Sequence, residues 1–176
     1  MMRLLENISL RWKYRKEISK HPFGFEIVNG CLFFYDDKRF YHCDFGPAIV
    51  YYNSDNKEYW VHGKRHNSNG PAVIANSSKH PKRTYCAYYV NGYIDREDGP
   101  AVIAGTDWYV EEKHYKMDKL HCETGPAVHY HSFDPRIDGS RRTYEDQYYL
   151  NDKRIRKRVF LKLLKFDQIK NYCLLE

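Results

Sequence analysis

Tyr88-Tyr89-Val90-Asn91-Gly92-Tyr93-Ile94-Asp95-Arg96-Glu97-Asp98-Gly99-Pro100-Ala101 is the stretch that decides the fold of this chain. Its first half is a hairpin signal. Aromatic and β-branched residues favour strands, and Asn-Gly supplies the positive φ that both central residues of a type I′ turn require. Its second half is a corner. Proline fixes φ and donates no hydrogen bond, so it suits the first residue of a strand. Val102-Ile103 then makes that strand. The glycine ahead of the proline is read as holding a conformation open to glycine alone.

The stretch recurs along the chain. Gly-Pro-Ala stands at Gly46-Pro47-Ala48, Gly70-Pro71-Ala72, Gly99-Pro100-Ala101 and Gly125-Pro126-Ala127, with glycines 24, 29 and 26 residues apart. Trp60, Tyr89 and Tyr115 each lie ten residues before their glycine. Phe33-Phe34-Tyr35 opens a first unit that is one or two residues out of step. His62-Gly63 repeats the turn signal, and Tyr148-Tyr149-Leu150-Asn151-Asp152-Lys153 is a last hairpin start with no Gly-Pro-Ala behind it. A fixed period of this size marks a repeat architecture.

The flanks are degenerate. Asn29-Gly30 is a further hairpin turn between residues 25–28 and 31–34. Ahead of it, Ile8, Leu10, Trp12 and Tyr14 alternate with polar residues as a strand does. Leu4, Leu5, Ile8 and Trp12 also have the spacing of a helix face. At the far end, Val159, Phe160, Leu163, Leu164 and Phe166 form a helical stripe with Lys157, Lys162 and Lys165 largely opposite. A helix over 156–176 would cover the end of the array, as a repeat protein requires. The expected fold is therefore all-β. One domain, 1–176, holds an N-terminal cap and degenerate repeat (1–28), hairpin repeats (29–155) and a C-terminal capping helix (156–176). The repeats make an elongated antiparallel meander. Seventeen Tyr, nine Phe and three Trp with a mean hydropathy of -0.80 suit a thin sheet stiffened by aromatic pairs better than a thick aliphatic core.

The net charge of +6 is unevenly placed. Residues 1–20 carry six Lys/Arg and two Glu, and residues 151–176 carry eight Lys/Arg and three acids. The middle, 21–150, holds 15 basic and 18 acidic residues, so both ends are basic and the body is mildly acidic. Basic ends attract nucleic acid, anionic lipid or an acidic protein, or else serve as solvated termini. Cys31, Cys43, Cys86, Cys122 and Cys173 are odd in number and form no CxxC pair, which argues against a disulfide framework and a zinc site. No stretch has the length and apolarity of a signal peptide or a membrane span. A protein that is not secreted, in a reducing compartment, is the expectation.

The unit at residues 88–101 resembles a variant of the MORN repeat (membrane occupation and recognition nexus), the likeness carried by its aromatic strand, Asn-Gly turn and returning glycine. The likeness covers roughly residues 29–155. It departs in having Gly-Pro-Ala where the usual return is a simpler Gly-x-Gly, and in spacings longer than a period of about 23 residues. This form is similar to repeat proteins of large DNA viruses and their relatives. The resemblance implies an elongated, twisted antiparallel sheet. It also implies a viral structural protein, a virion or capsid-associated scaffold, in the host-cell cytoplasm or the virion. It does not imply one function, since such repeats serve as lipid-binding, protein-binding and assembly modules.

The candidate sites are surface cations and repeat positions. Between Ala-Val-Ile and the next aromatic pair the connection varies in length, and variable loops on one edge commonly carry binding. Two of these loops are basic: Lys79, Lys82 and Arg83, and Arg136, Arg141 and Arg142. Arg154, Arg156, Lys157 and Arg158 make a third cluster. The alternative interface is aromatic, around Trp60, Tyr89 and Trp108. Gly46, Gly70, Gly99 and Gly125 with Pro47, Pro71, Pro100 and Pro126 are structural. His42, His66 and His121 lie four residues before a repeat glycine, with Asp95 at that place in the third unit, and read as corner hydrogen bonding. His129 and His131 share a strand face, but no third metal ligand accompanies them. No P-loop, G-x-S-x-G, H-E-x-x-H or Rossmann fingerprint is present. No catalytic residue, metal or cofactor is expected. A protein-interaction or assembly scaffold with a protein partner, acidic or part of a capsid, leads. An anionic lipid or nucleic-acid binder is second, and an enzyme with a site assembled across repeats is third.

Overall fold

The computed structural model describes residues 11–12, 15–19, 24–51, 54–77, 82–133, 142–166 and 168–174. Among the described residues seventeen strands make a long antiparallel meander. The first are β1 (Phe25–Val28), β2 (Cys31–Phe34), β3 (Ile49–Tyr51), β4 (Lys57–Glu58), β5 (Trp60–Val61) and β6 (Lys64–Arg65). The middle ones are β7 (Val73–Ser77), β8 (Arg83–Ala87), β9 (Tyr89–Val90), β10 (Tyr93–Ile94), β11 (Val102–Thr106) and β12 (Tyr109–Lys113). The last are β13 (Tyr115–Lys116), β14 (Lys119–Leu120), β15 (Val128–Phe133), β16 (Arg142–Leu150) and β17 (Lys153–Ile155). Eleven of them form one sheet in the order β1-β2-β3-β4-β7-β8-β11-β12-β15-β16-β17. Ten steps of about 4.8 Å make that sheet roughly 48 Å across.

The remaining strands pair as short hairpins, β5–β6, β9–β10 and β13–β14. Each follows directly from a sheet strand: β8 ends at Ala87 and β9 begins at Tyr89. The turns are those the sequence asks for. Both central residues have positive φ at Asn29-Gly30, His62-Gly63, Asn91-Gly92, Met117-Asp118 and Asn151-Asp152. The hairpins are stitched side by side into a second ribbon. The second turn residue donates its N–H to a carbonyl of the preceding unit, as Gly63 to Tyr41, Gly92 to Arg65, Asp118 to Ile94 and Asp152 to Leu120, at 2.9–3.0 Å. Those four acceptors each stand five residues before a repeat glycine. The Asp118 and Asp152 carboxylates add a second bond, from Ile94 N at 2.6 Å and Leu120 N at 2.7 Å.

The repeat alanine, not the glycine, is the constrained position. Ala48, Ala72, Ala101 and Ala127 are each 0% exposed. Their carbonyls accept from Phe34, Tyr59, Tyr88 and His114, the residues where each chain leaves the sheet for its hairpin. The expectation that all four glycines need a glycine-only conformation is corrected. Gly99 has φ 137°, but Gly46, Gly70 and Gly125 do not have positive φ. A Cβ added at Gly46 or Gly125 would meet nothing within 4 Å. The proline that follows drives its predecessor toward extended backbone, which any residue can adopt.

The largest fully buried side chains, Phe34, Leu32, Phe160 and Leu150, lie toward the two ends of the array. Leu32, Phe34, Cys43, Ala48 and Val50 form one cluster, with Ile18 of α1 (Arg15–Ser19), Phe25, Ile27, Tyr41 and Trp60 against it. Arg11 and Trp12 are also helical, so the strand alternation in residues 8–14 does not hold there. The other residues of that segment, Ile8, Leu10 and Tyr14 among them, lie outside the described ones. Tyr148, Leu150, Ile155, Phe160 and Ile169 form the other cluster. The helix expected over 156–176 covers this end, but as two helices, α2 (Lys157–Lys165) and α3 (Ile169–Leu174). The stripe is narrower than expected. Phe160 is 1% exposed and Leu163 packs against the cluster, whereas Val159, Leu164 and Phe166 are exposed. A short helix lying on a sheet edge touches it along one line, and residues on either flank of that line face outward. No helix among the described residues is long and apolar enough to cross a membrane.

Candidate functional site

One face of the array carries a continuous run of rings. It begins at Phe33, stacked on Tyr41 at 5.8 Å, and at Tyr35, stacked on Tyr41 at 5.4 Å. Tyr41 meets Trp60 at 5.6 Å. Arg65 then bridges two units, its guanidinium 4.9 Å from the Trp60 ring and 5.5 Å from the Tyr89 ring. The repeat explains the alignment. Tyr35, Trp60, Tyr89, Tyr115 and Tyr149 each occupy the same place at the start of a hairpin, opposite Tyr41, Arg65, Ile94, Leu120 and Arg154. Equal positions in stacked units must fall in a row.

Glu58 collects the polar groups at the middle of this stripe. Glu58 accepts from Tyr51 Oη at 2.9 Å, from Trp60 Nε1 at 3.1 Å, and from Arg65 Nε and Nη2 at 3.2 and 3.1 Å. Its side chain is 14% exposed. Burial, and then the bond to Glu58, push the Tyr51 phenol up to about 12. Burial likewise raises the phenols of Tyr35, Tyr85 and Tyr115. They remain neutral near pH 7, able to pack and to donate. The stripe offers ring faces around a satisfied Glu58 centre.

The repeated histidines do something the sequence reading did not foresee. They join units rather than close a corner. His42 Nδ1 accepts from the His62 N–H at 3.3 Å, His66 Nδ1 from Asn91 at 3.2 Å, and His121 Nδ1 from Asn151 at 3.2 Å. Each acceptor serves the first residue of the next turn. Accepting at Nδ1 places the ring proton on Nε2, and Nε2 of His42 and His121 face Asp44 and Glu123, both at 3.3 Å. His121, Glu123 and Cys173 bring three ligand atoms within 4.8 Å of one another. That trio does not suit a metal. A ligating Nε2 needs Nδ1 to carry the proton and donate it, and Nδ1 here faces the Asn151 N–H. His129 and His131 do share a face, ring centroids 5.9 Å apart, and His129 Nδ1 is bonded to Asp146 at 2.5 Å.

The expected cation sites are not all described. Lys79, Arg136 and Arg141 fall outside the described residues, as does the side chain of Arg142. Lys82 and Arg83 are exposed, at the end of the strands remote from the β5–β6, β9–β10 and β13–β14 hairpins. Trp108 lies on a tight turn at that same remote end and is 40% exposed, so it does not join Trp60 and Tyr89. Arg154, Arg156, Lys157 and Arg158 are all exposed and contiguous with the start of α2. Arg65 and Glu58 were missed by reading the sequence. Their signal is positional: both flank the His62-Gly63 turn, and Arg65 pairs directly with Trp60.

Compared with protein-family models, with curated proteins and with solved structures, the chain matches none.

Proposed function

We propose that the chain is a non-catalytic scaffold that docks another protein on the aromatic stripe. One observation carries the reading. Rings from three successive units, Tyr41, Trp60 and Tyr89, with Arg65 between the last two, form a half-exposed surface on which Glu58 takes up the Trp60 and Arg65 donors. Tyr, Trp and Arg are the residues enriched where protein partners bind tightly. Such a surface gains little from a small polar substrate and much from an apolar segment laid across several units. The resemblance to repeat proteins of large DNA viruses would make a capsid or assembly component such a partner. The test compares native co-purification by the parent, by Trp60→Ala/Tyr89→Ala, and by a variant with Lys79, Lys82 and Arg83 changed to Ser. The aromatic pair should weaken capture by about tenfold or more, as central hot spots do, and the loop variant should not. Equal capture by parent and aromatic variant would remove the stripe as the docking surface.

A second reading, anion binding by the basic loops and ends, is favoured by the exposed Lys82 and Arg83 and by the exposed cations at residues 154–158, which have no carboxylate partner among the described residues. Its mark is binding that collapses as salt rises, since exposed charges are screened over about 8–10 Å near physiological ionic strength.

A further inference from the structure

The C-terminal corner holds a cleft of about 440 Å³ between residues 146–148 of β16 and residues 154–157, where β17 passes into α2. We propose that this cleft binds an oxyanion of the phosphate class. Its rim is Arg154, Arg156 and Lys157. Its apolar lining is Tyr148 and Ile155, each 7% exposed. Between residues 153 and 165 the chain has seven Lys/Arg and no acid. Among the described residues no carboxylate lies within ion-pair distance of Arg154, Arg156, Lys157 or Arg158.

The contrast with the repeats is what gives the cluster meaning. Arg39 is paired with Glu26, Arg65 with Glu58, and Arg96 donates to the Pro100 carbonyl while lying 4.0 Å from the Tyr88 ring. Those arginines are part of the fold. At the corner, like charges converge with no internal counter-charge. The one acid lining the cleft, Asp146, is bonded to His129. Lys157 also lies 6.0 Å from the Tyr148 ring, which holds its ammonium over the cleft. Guanidinium forks match the paired oxygens of phosphate and can donate two bonds to it. A cleft with an apolar floor lowers the local dielectric, so each contact counts for more than on open surface. Three cations within the four residues 154–157 suit a multiply charged tetrahedral anion better than a single carboxylate.

The probes are inorganic phosphate and pyrophosphate, titrated calorimetrically into the full chain. Saturable binding is expected, tighter for pyrophosphate. The variant Arg154→Ser/Arg156→Ser/Lys157→Ser should weaken it by about tenfold or more, whereas Lys162→Ser/Lys165→Ser, on the same helix but outside the cleft, should bind as the parent does. Should the triple variant melt early, Arg154→Gln and Arg156→Gln made singly replace it, each expected to weaken binding several-fold. Two further arms identify where the phosphate comes from: a short single-stranded oligonucleotide and vesicles containing an anionic phospholipid. Displacement of either by pyrophosphate supports the cleft as its site. No saturable binding of pyrophosphate by the parent would overturn the proposal. So would equal losses in the triple and double variants, which would mean bulk charge. Oligonucleotide or vesicle binding that survives the triple variant and resists pyrophosphate would overturn it too.

Discussion

Gly99 takes φ 137°, a backbone conformation that side chains rarely adopt, although a Cβ placed there would only touch the Arg96 guanidinium at 3.4 Å. Gly99→Val is therefore expected to cost about 1–3 kcal/mol, as side chains forced into sparsely allowed backbone do. Gly125→Ala should be nearly neutral or slightly stabilising, because the backbone there suits any residue and alanine narrows the unfolded ensemble. Thermal melting of the two variants checks the pair, and equal losses would show that the repeat demands glycine at both places. The recurrence of the triplet was legible, but which member bears the constraint was not. Sequence repeats mark a position without saying whether backbone angle or space selects the residue, and here space selects the alanine. His114 is a second lesson at this scale. It stands where other units have Phe34, Tyr59, Tyr88 and Tyr148. Burial lowers its pKa below the ordinary 6.5, with neighbouring Glu112 opposing. The unfolded chain takes up that proton first, so stability is full above about 6.5 and falls as pH drops through that value toward the folded pKa. His114→Tyr restores the repeat residue and should lose less stability between pH 7 and 5 than the parent. Identical pH profiles would remove His114 as the cause. At lower pH a separate loss follows. Asp36, held down first by its bond from His62, and Glu26, held down first by Arg39, give stability that is present above the ordinary carboxylate range and disappears as pH falls through their lowered pKa values.

Hairpins are the best-read elements, since Asn29-Gly30, His62-Gly63 and Asn91-Gly92 fix a turn type by themselves. Met117-Asp118 makes the same turn without glycine, and the Asp118 carboxylate accepting from Ile94 N accompanies the left-handed backbone there. The first hairpin is longer by one residue: Tyr35 bridges Tyr41 across five intervening residues where Trp60 meets Arg65 across four. Asp36 fills the extra space, 3% exposed, accepting from Lys38 N and Phe40 N. Such side-chain capture of a turn backbone leaves only a weak sequence signal, Asp-Asp between aromatics. The C-terminal helices show the opposite limit. Their apolar stripe announced a helix, but the break between α2 and α3 and the exposure of Leu164 and Phe166 depend on how little of the sheet edge they cover. Deleting residues 156–176 removes Phe160 and Ile169 from Tyr148, Leu150 and Ile155. The truncated chain is expected to self-associate, because an uncovered edge and apolar cluster are a template for another chain. Light scattering across a concentration series checks this, and a monomer at high concentration would deny the helices a capping role.

Across the whole molecule the array is held in two ways. Its ends have clusters of buried side chains, whereas units between them are joined by strand pairing, by the turn-to-turn hydrogen bonds and by alanines wedged at each crossing. Each unit touches chiefly its neighbours, so stability approximates a sum of unit and interface terms. A defect in the middle should then divide the array instead of lowering everything together. Ala101 is the place to make one. It is 0% exposed, its N–H donates to Lys113 O and its carbonyl accepts from Tyr88 N, each at 2.8 Å. Leucine there must push apart two strands that those bonds hold at fixed spacing. A cost of about 1–3 kcal/mol is expected, the usual penalty for overpacking. Hydrogen exchange followed by mass spectrometry gives the discriminating readout. Amides of residues 82–113 should lose protection first and most, while those of residues 31–50 and 148–160, inside the end clusters, keep nearly the parent's. The melting curve should broaden or split as the two halves uncouple. Protection that falls by the same factor in all three regions would mean that the chain unfolds as one cooperative block, and that the stacked units do not act as separable neighbours.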